Sequence, residues 1–565
     1  MSKSVAHIMA ESLVAHGVDR VFCVPGESYI GFSNALLDVD GCELVVCRHE
    51  AGAGLMAVAD SQLTGRPGCA IVSRGPGMAN GMIALHTALH DCKPLVMFVG
   101  DVERKDMGRQ ALQEQNYSVW LADVTKKVMP VVMPEQISEI IARAFHYAES
   151  GTPGPVAVIL PEDIFDELTD VPVDNPRPKP VMSPGTDMVR EFADLLRKSE
   201  KPMLWVGGTM PEGPEMAAKL EKLAETWTLP VHPTMRRPHL FDFGHPNFGG
   251  YVGIRPPKEY AEETQKTDLL VAFGERLMDT TTQGYTFPAA PQPQVPFVHI
   301  WPDADEIGRV WRPDYAYACD PGAMVDALLA MDPPPANNAR SEWVASLNSK
   351  ALALLAPEWE TQEDGVNFAA VCCEVDKLLA PDAAITSDAG NFGSFIHRYI
   401  HFKPTQTFLS SIIGAMGAGM PMGVAAALRN PDRQVVVFVG DGGILMTGNE
   451  LATARLKGVN PIIVLADNSV YSTINMHHHV RYPGHVDEQA TELRNPDFCM
   501  WAESFGAKAF RIETEAEVGP VMAEAFAVKG QPVLIHVRSS ATQMSAYRNK
   551  SMYPPVAREA KRAAD

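Results

Sequence analysis

From Gln434 to Ala466 the chain passes through an apolar β-branched stretch, a glycine turn, a helix-forming segment and a second apolar stretch. That order commits it to a βαβ crossover, and so to a parallel sheet buried on both faces. Gln434–Val439 is short and ends abruptly in Gly440-Asp441-Gly442-Gly443, which predicts a buried strand opening into a tight loop. Glu450, Leu451, Ala454 and Leu456 lie among good helix formers, Gly458 can supply the left-handed stop, and Pro461–Ala466 is the return strand. The return strand ends at Asp467-Asn468. Asp441 and Asn468 therefore stand at the carboxyl ends of neighbouring strands, where open α/β sheets bind ligands. A carboxylate and a carboxamide beside glycines suit a hard cation such as Mg2+ in company with phosphate oxygens. Glycines let backbone N–H groups come close, and the helix points its positive end at the same place.

The rest of the chain repeats this architecture. Its 565 residues, 46% of them apolar, suffice for about three domains. Strands at Val21–Val24, Leu44–Cys47, Cys69–Val72, Leu95–Val99 and Val156–Leu160 alternate with helical segments, which predicts a doubly wound parallel sheet over residues 1–173. Three loops lie at its carboxyl edge: Val24-Pro25-Gly26-Glu27-Ser28, Arg48-His49-Glu50-Ala51 and Ser73-Arg74-Gly75-Pro76-Gly77. The alternating prolines from Asn175 to Pro180 forbid helix and read as a linker. Met203–Val206, Leu269–Phe273 and Phe297–Ile300 predict a second Rossmann-like sheet over 186–332, closed by Pro333-Pro334-Pro335, and 341–545 forms the third unit. The tail after Ser540 either packs over the site or frays.

A net charge of −21 and a pI near 5.3 argue against a nucleic-acid surface. No stretch approaches the roughly eighteen apolar residues of a membrane span, and residues 1–20 read as an amphipathic helix rather than a signal peptide. Nine cysteines without CxxC spacing read as buried hydrophobes in a reducing compartment. The expectation is a cytoplasmic protein acting on small molecules.

The Gly440-Asp441-Gly442 turn, followed 27 residues after Asp441 by a pair ending in Asn468, resembles the diphosphate-binding signature of thiamine-diphosphate enzymes. Three α/β units resemble the Pyr, middle and PP domains of that family. The likeness is nearest its acetolactate synthase branch, through Leu112-Gln113-Glu114, Thr125-Lys126, Val298-His299-Ile300 and Asp303-Ala304-Asp305-Glu306-Ile307. The resemblance implies Mg2+ held by Asp441, Asn468 and the carbonyl of Val470, although Asp467 stands where the family has a first Asn. It implies Glu50 as the acid that hydrogen-bonds the aminopyrimidine and makes the cofactor its own base, with Met416 bending the cofactor and the Gly414 carbonyl accepting from its amino group. The implied cofactor set is Gly26, Glu50, Gly414, Met416, Gly440, Asp441, Gly442, Gly443, Asn468, Val470 and Tyr471. It further implies a homodimer or dimer of dimers, with Glu50 of one subunit facing Asp441 and Asn468 of the other.

Departures concern the substrate. His477, with His478 and His479, replaces a tryptophan of acetolactate synthase, which makes either a polar pocket wall or a loop facing water. Glu27 replaces a glycine and either handles a substrate oxygen or caps a helix. Glu50, Gln113, Glu27 and His477 are the candidate catalytic residues. His86 and His90, four apart on a helix, face the core rather than a metal. FAD or ADP in the central unit is disfavoured, because Arg276 is present but Ala122 and Thr280 replace two expected arginines. The resemblance implies a carboligase or lyase that decarboxylates a 2-oxo acid, or cleaves an acyloin, and transfers the carbanion to a carbonyl acceptor. The alternatives are a plain decarboxylase, a flavin-dependent pyruvate-type oxidase, and a non-catalytic binding subunit.

Overall fold

The computed structural model describes residues 2–253 and 257–554. Three parallel sheets follow one another along the chain. The N-terminal sheet has β1 (Arg20–Cys23), β2 (Glu43–Val46), β3 (Gly68–Ser73), β4 (Leu95–Asp101), β5 (Lys127–Pro130) and β6 (Pro155–Pro161), in the order β2-β1-β3-β4-β6-β5. The central sheet has β7 (Pro202–Val206), β8 (Val231–Pro233), β9 (Leu269–Phe273), β10 (Phe297–Trp301) and β11 (Tyr315–Ala318), in the order β8-β7-β9-β10-β11. The C-terminal sheet has β12 (Ala384–Ser387), β13 (Thr407–Leu409), β14 (Val435–Gly440), β15 (Ile462–Asp467), β16 (Lys508–Ile512) and β17 (Val533–Arg538). Its order, β13-β12-β14-β15-β17-β16, repeats that of the N-terminal sheet strand for strand. A short antiparallel ribbon joins Lys3–Ser4 to Leu168–Thr169.

The expected strands are present, with Arg20–Cys23 and Glu43–Val46 one residue earlier than read and Val435–Gly440 and Ile462–Asp467 one residue later. Three expected loops are shorter than anticipated, because Glu50, Arg74 and Asp441 each begin a helix directly after or close to a strand. At β14 no loop residue intervenes: Gly440 is extended at φ −93°, ψ 160°, and Asp441 is already helical. A side chain at Gly440 would put its Cβ 3.1 Å from the Phe392 ring, which explains the glycine.

The outer two units dock through helices. Glu50–Thr64 lies against Gly419–Arg429, and Leu55 and Met56 share one apolar core with Val424, Ala425 and Leu428. Burying each such side chain contributes about 1.5–3 kcal/mol. Gly52 permits the approach, since a Cβ there would stand 2.2 Å from Glu450 Oε1. At the far end of the contact Arg429 forks onto Asp19 and Asp60, at 2.6 Å to each. A charged knot ties in the central unit: Glu212 accepts from Lys93 at 2.7 Å, His239 at 2.9 Å and Gln62 at 3.0 Å. Burial opposes ionisation of Glu212, but Lys93, His239 and Arg237 outweigh it and hold the carboxyl well below its usual range.

The tail from Ser540 to Pro554 packs rather than frays. Ala546 donates to Ser394 Oγ and accepts from Arg398, and Lys550 faces Glu488 at 3.5 Å. The remainder of the tail, 555–565, lies outside the described residues. Among the described residues no helix is long and apolar enough to cross a membrane.

Candidate active site

In the C-terminal sheet the strand order reverses between β12 and β14, and the crevice at such a reversal is where an open α/β sheet takes its ligand. Three segments converge there. Asp388–Phe392 follows β12, the Asp441–Thr447 helix follows β14, and Asn468–Tyr471 follows β15. Their closeness requires glycine: a Cβ at Gly442 would stand 2.5 Å from the Tyr471 ring, and one at Gly443 2.1 Å from Asp388 Oδ2.

Asp441 is 5% exposed. Its Oδ1 accepts from Gly442 N at 3.0 Å, and its Oδ2 accepts from Ser469 N at 2.8 Å and Asn495 Nδ2 at 2.9 Å. Asn468 lies in the same turn, with Nδ2 donating to Ser472 Oγ at 2.5 Å and Oδ1 accepting from Val470 N at 3.2 Å. Burial raises the affinity of Asp441 for a proton, and the neighbouring Asp467 charge raises it further. For Asp467 burial acts in the same sense, but the His536 hydrogen bond and charge, Asn495 and Arg538 outweigh it and hold that carboxyl low. Carboxylate, carboxamide and carbonyl oxygens make an all-oxygen donor set, which fits Mg2+, and the glycine-lined cradle above it fits a diphosphate. Among the described residues no group of three His, Cys, Asp or Glu side chains forms an alternative metal site.

The Met416 loop is held from beneath. Asp388, fully buried, accepts from Gly417 N at 3.0 Å, Ala418 N at 3.2 Å and Ala389 N at 2.8 Å. Burial pushes its carboxyl up to about 6, against the pull of these three amides. Gly414 and Gly417 adopt φ +67° and +83°, which a side chain would resist. Met416 itself is 37% exposed.

The remaining candidates lie on the N-terminal unit. Glu50 opens the helix Glu50–Thr64, half-buried, and accepts from Asn80 Nδ2 at 3.0 Å. Its position is set by the C-terminal unit of the same chain: Arg48 N and His49 N donate to the buried Glu450 at 3.0 and 3.1 Å. Gly26 lies against Ser73, and Glu27 is exposed in the first turn of a short 3-10 helix. Gln113 is exposed at φ +68°, its carbonyl accepting from Gly75 N at 3.1 Å. His477 sits half-buried on the helix Ser472–Arg481, so the water-facing loop is not what this segment forms. His479 on the same helix meets Glu488 at 3.0 Å. His86 is exposed and His90 half-buried, their rings 4.8 Å apart, so the pair does not face the core as expected.

The central sheet reverses between β7 and β9, where a flavin or adenine nucleotide would lie. That crevice holds the protein's own side chains. Trp301 is fully buried and would stand 3.4 Å from a Cβ at Gly208, and Arg276 stacks over its indole at 5.6 Å while facing Glu306 at 3.5 Å.

Sequence reasoning missed Asp388, Glu450, Asn495 and His536. Asp388-Ala389-Gly390 carries a signal, since it follows a buried strand just as Gly440-Asp441 does. Asn495 carries none, because its partner Asp441 is 54 residues away.

Comparison with known proteins matches three consecutive descriptions. Residues 3–119 match the thiamine pyrophosphate enzyme N-terminal TPP binding domain, 189–328 the central domain and 388–537 the C-terminal TPP binding domain. The chain is 30% identical over 544 residues to the acetolactate synthase of Mycobacterium bovis, covering 94% of this chain and 87% of the relative. It is 30% identical over 538 residues to the acetolactate synthase isozyme 2 large subunit of Escherichia coli, covering 94% and 95%. A probable acetolactate synthase large subunit of Methanocaldococcus jannaschii is 29% identical over 547 residues, covering 94% and 91%.

Proposed function

Because the chain belongs to the thiamine pyrophosphate enzymes, we propose that it is a carboligase or lyase that cleaves the bond beside a carbonyl in a 2-oxo acid or acyloin and passes the fragment to a carbonyl acceptor. The observation that carries this reading is the junction of Asp441 with the Asn468–Val470 turn, closed by Ser469 N on Asp441 Oδ2 at 2.8 Å. Asp441, Asn468 and the Val470 carbonyl would hold Mg2+, and the amides around Gly442 and Gly443 would receive the diphosphate. When bound, thiamine diphosphate supplies a nucleophilic carbon and an electron sink. Glu50 holds a proton at the aminopyrimidine nitrogen, and Asp388 keeps the Met416 loop in shape through the Gly417 and Ala418 amides. Glu27, Gln113 and His477 are the groups we assign to the substrate.

Glu50 and Asp441 lie on different units, and exposed apolar residues accompany candidate groups on each unit. Ile30 (61%), Leu112 (75%) and Val119 (74%) are chain neighbours of Glu27 and Gln113, while Leu445 (49%) and Ile474 (52%) neighbour Asp441 and His477. Such surfaces support burial against a second copy, so we read the active unit as a homodimer, or a dimer of dimers, completed across the interface. Full activity from a sedimenting monomer would contradict this.

A histidine wall at 477 offers hydrogen bonds where a tryptophan would offer apolar area. Buried donors discriminate strongly against ligands that leave them unpaired, whereas an apolar pocket distinguishes one methylene by only about 1–3 kcal/mol. A hydroxylated acceptor, or a donor with a second carboxylate, is therefore expected to be preferred over 2-oxobutanoate. His477→Trp should shift preference toward apolar 2-oxo acids by about tenfold or more. Unchanged kcat/KM ratios across a substrate panel would refute the assignment.

The experiment that tests the whole reading incubates pure protein, thiamine diphosphate and Mg2+ with 2-oxo acids and aldehydes, following CO2, products and oxygen. C–C bond transfer without oxygen uptake is the expected result. Oxygen uptake with flavin absorbance would favour an oxidase, and no turnover with bound cofactor a non-catalytic subunit.

A further inference from the structure

Asp467 ends β15 immediately before the Asn468–Val470 turn, and both of its oxygens are engaged by the protein. Oδ1 accepts from Ser469 N at 3.0 Å, Ser469 Oγ at 3.1 Å and Asn495 Nδ2 at 2.9 Å. Oδ2 accepts from His536 Nε2 at 2.7 Å and from Arg538 at 3.3 Å. Ser469 sits at φ +57°, a left-handed conformation that a non-glycine residue keeps only when its surroundings hold it. Here Asp467 and Asp441 hold it by accepting the same N–H. The segment 491–495 closes the other side: Tyr471 N donates to Thr491 O at 2.9 Å, Leu493 N donates to Ser469 O at 2.8 Å, and the Asn495 amide bridges the two carboxylates. Protein contacts alone thus fix Asn468 and the Val470 carbonyl relative to Asp441.

The charge is arranged unevenly. His536 and Arg538 both meet Asp467, whereas the donors to Asp441 are the neutral groups Gly442 N, Ser469 N and Asn495 Nδ2. Two carboxylates sharing one amide, with counter-charge on only one of them, leave a site that favours an added cation. A neutral residue at 467 would lack the charge that meets His536 and Arg538.

We propose that Asp467, backed by His536 and Arg538, is a positioning residue that keeps the cation site formed without the diphosphate, so that the apoprotein takes up a divalent cation before thiamine diphosphate binds. The inference rests on the reading of Asp441, Asn468 and Val470 as the metal ligands.

The test titrates Mn2+, an oxygen-ligand substitute for Mg2+, into chelator-stripped protein and reads free Mn2+ by electron paramagnetic resonance, with and without thiamine diphosphate. The wild type is expected to bind Mn2+ in both arms. Asp467→Ala and the volume-conserving Asp467→Asn are expected to weaken the diphosphate-free arm by about 10–100-fold, as loss of an outer-shell partner does, and the other arm less. Mn2+ binding by the wild type only when thiamine diphosphate is present overturns the inference and leaves the metal-site reading intact. Binding in neither arm overturns that reading as well. Unchanged affinity in both variants, or equal weakening of both arms, shows that Asp467 does not preform the site.

Discussion

Glu50→Gln is expected to lower turnover by about 10²-fold or more, the loss that follows when acid–base assistance is removed, while cofactor and cation binding stay near wild type. The position of residue 50 does not depend on its own carboxylate. The turn before it is held by Glu450 through the Arg48 and His49 amides, and His49 Nδ1 caps the helix by accepting from Ala51 N at 3.1 Å. A glutamine oxygen can still accept from Asn80, so the side chain should keep its place. The fold loses only the favourable charge at a helix start, about 0.3–1 kcal/mol. What glutamine lacks is an exchangeable acid proton. Proton exchange at C2 of thiamine diphosphate, followed by NMR, separates this effect from any defect in substrate handling. Exchange at the wild-type rate in the variant would sink the assignment of Glu50.

The features legible in the sequence share a physical basis. β14 and β15 are continuous apolar runs because both sheet faces are covered, and their ends are marked by glycine or by the Asp467-Asn468 pair. Edge strands such as Lys127–Pro130 and Tyr315–Ala318 have one buried position each, so no run announces them. The Gly440-Asp441 turn was readable because its chemistry is local. The groups that tune it are not local: His536, Arg538 and Asn495 reach Asp467 and Asp441 only through the parallel pairing of β15 with β17 and the return of the 491–495 segment. The same holds for Trp301. It lies one residue past the strand expected at Phe297–Ile300, and its insertion against Gly208 depends on the register of β9 with β7 and β10.

Asp441→Ala should produce opposite effects in the presence and absence of ligand. Without ligand, the wild-type protein confines two carboxylates around one Asn495 amide, and burial compounds their repulsion. Removing Asp441 relieves that repulsion, and of the three donors it leaves behind Ser469 N and Asn495 Nδ2 keep a partner in Asp467 Oδ1, while Gly442 N loses its side-chain acceptor. The melting temperature of the apoprotein should therefore hold or rise, unlike the usual loss on truncating a buried polar group. With Mg2+ and thiamine diphosphate the order reverses. Ligand at about a hundred times its Kd stabilises the wild type by about 2.7 kcal/mol. The variant should gain almost none of this, because a direct ligand matters at least as much as the outer-shell groups whose loss costs about 10–100-fold in metal affinity. Thermal melts of both proteins, with and without Mg2+ and thiamine diphosphate, give the comparison directly. A ligand-dependent rise in Asp441→Ala equal to that of the wild type would place the cation elsewhere in the molecule.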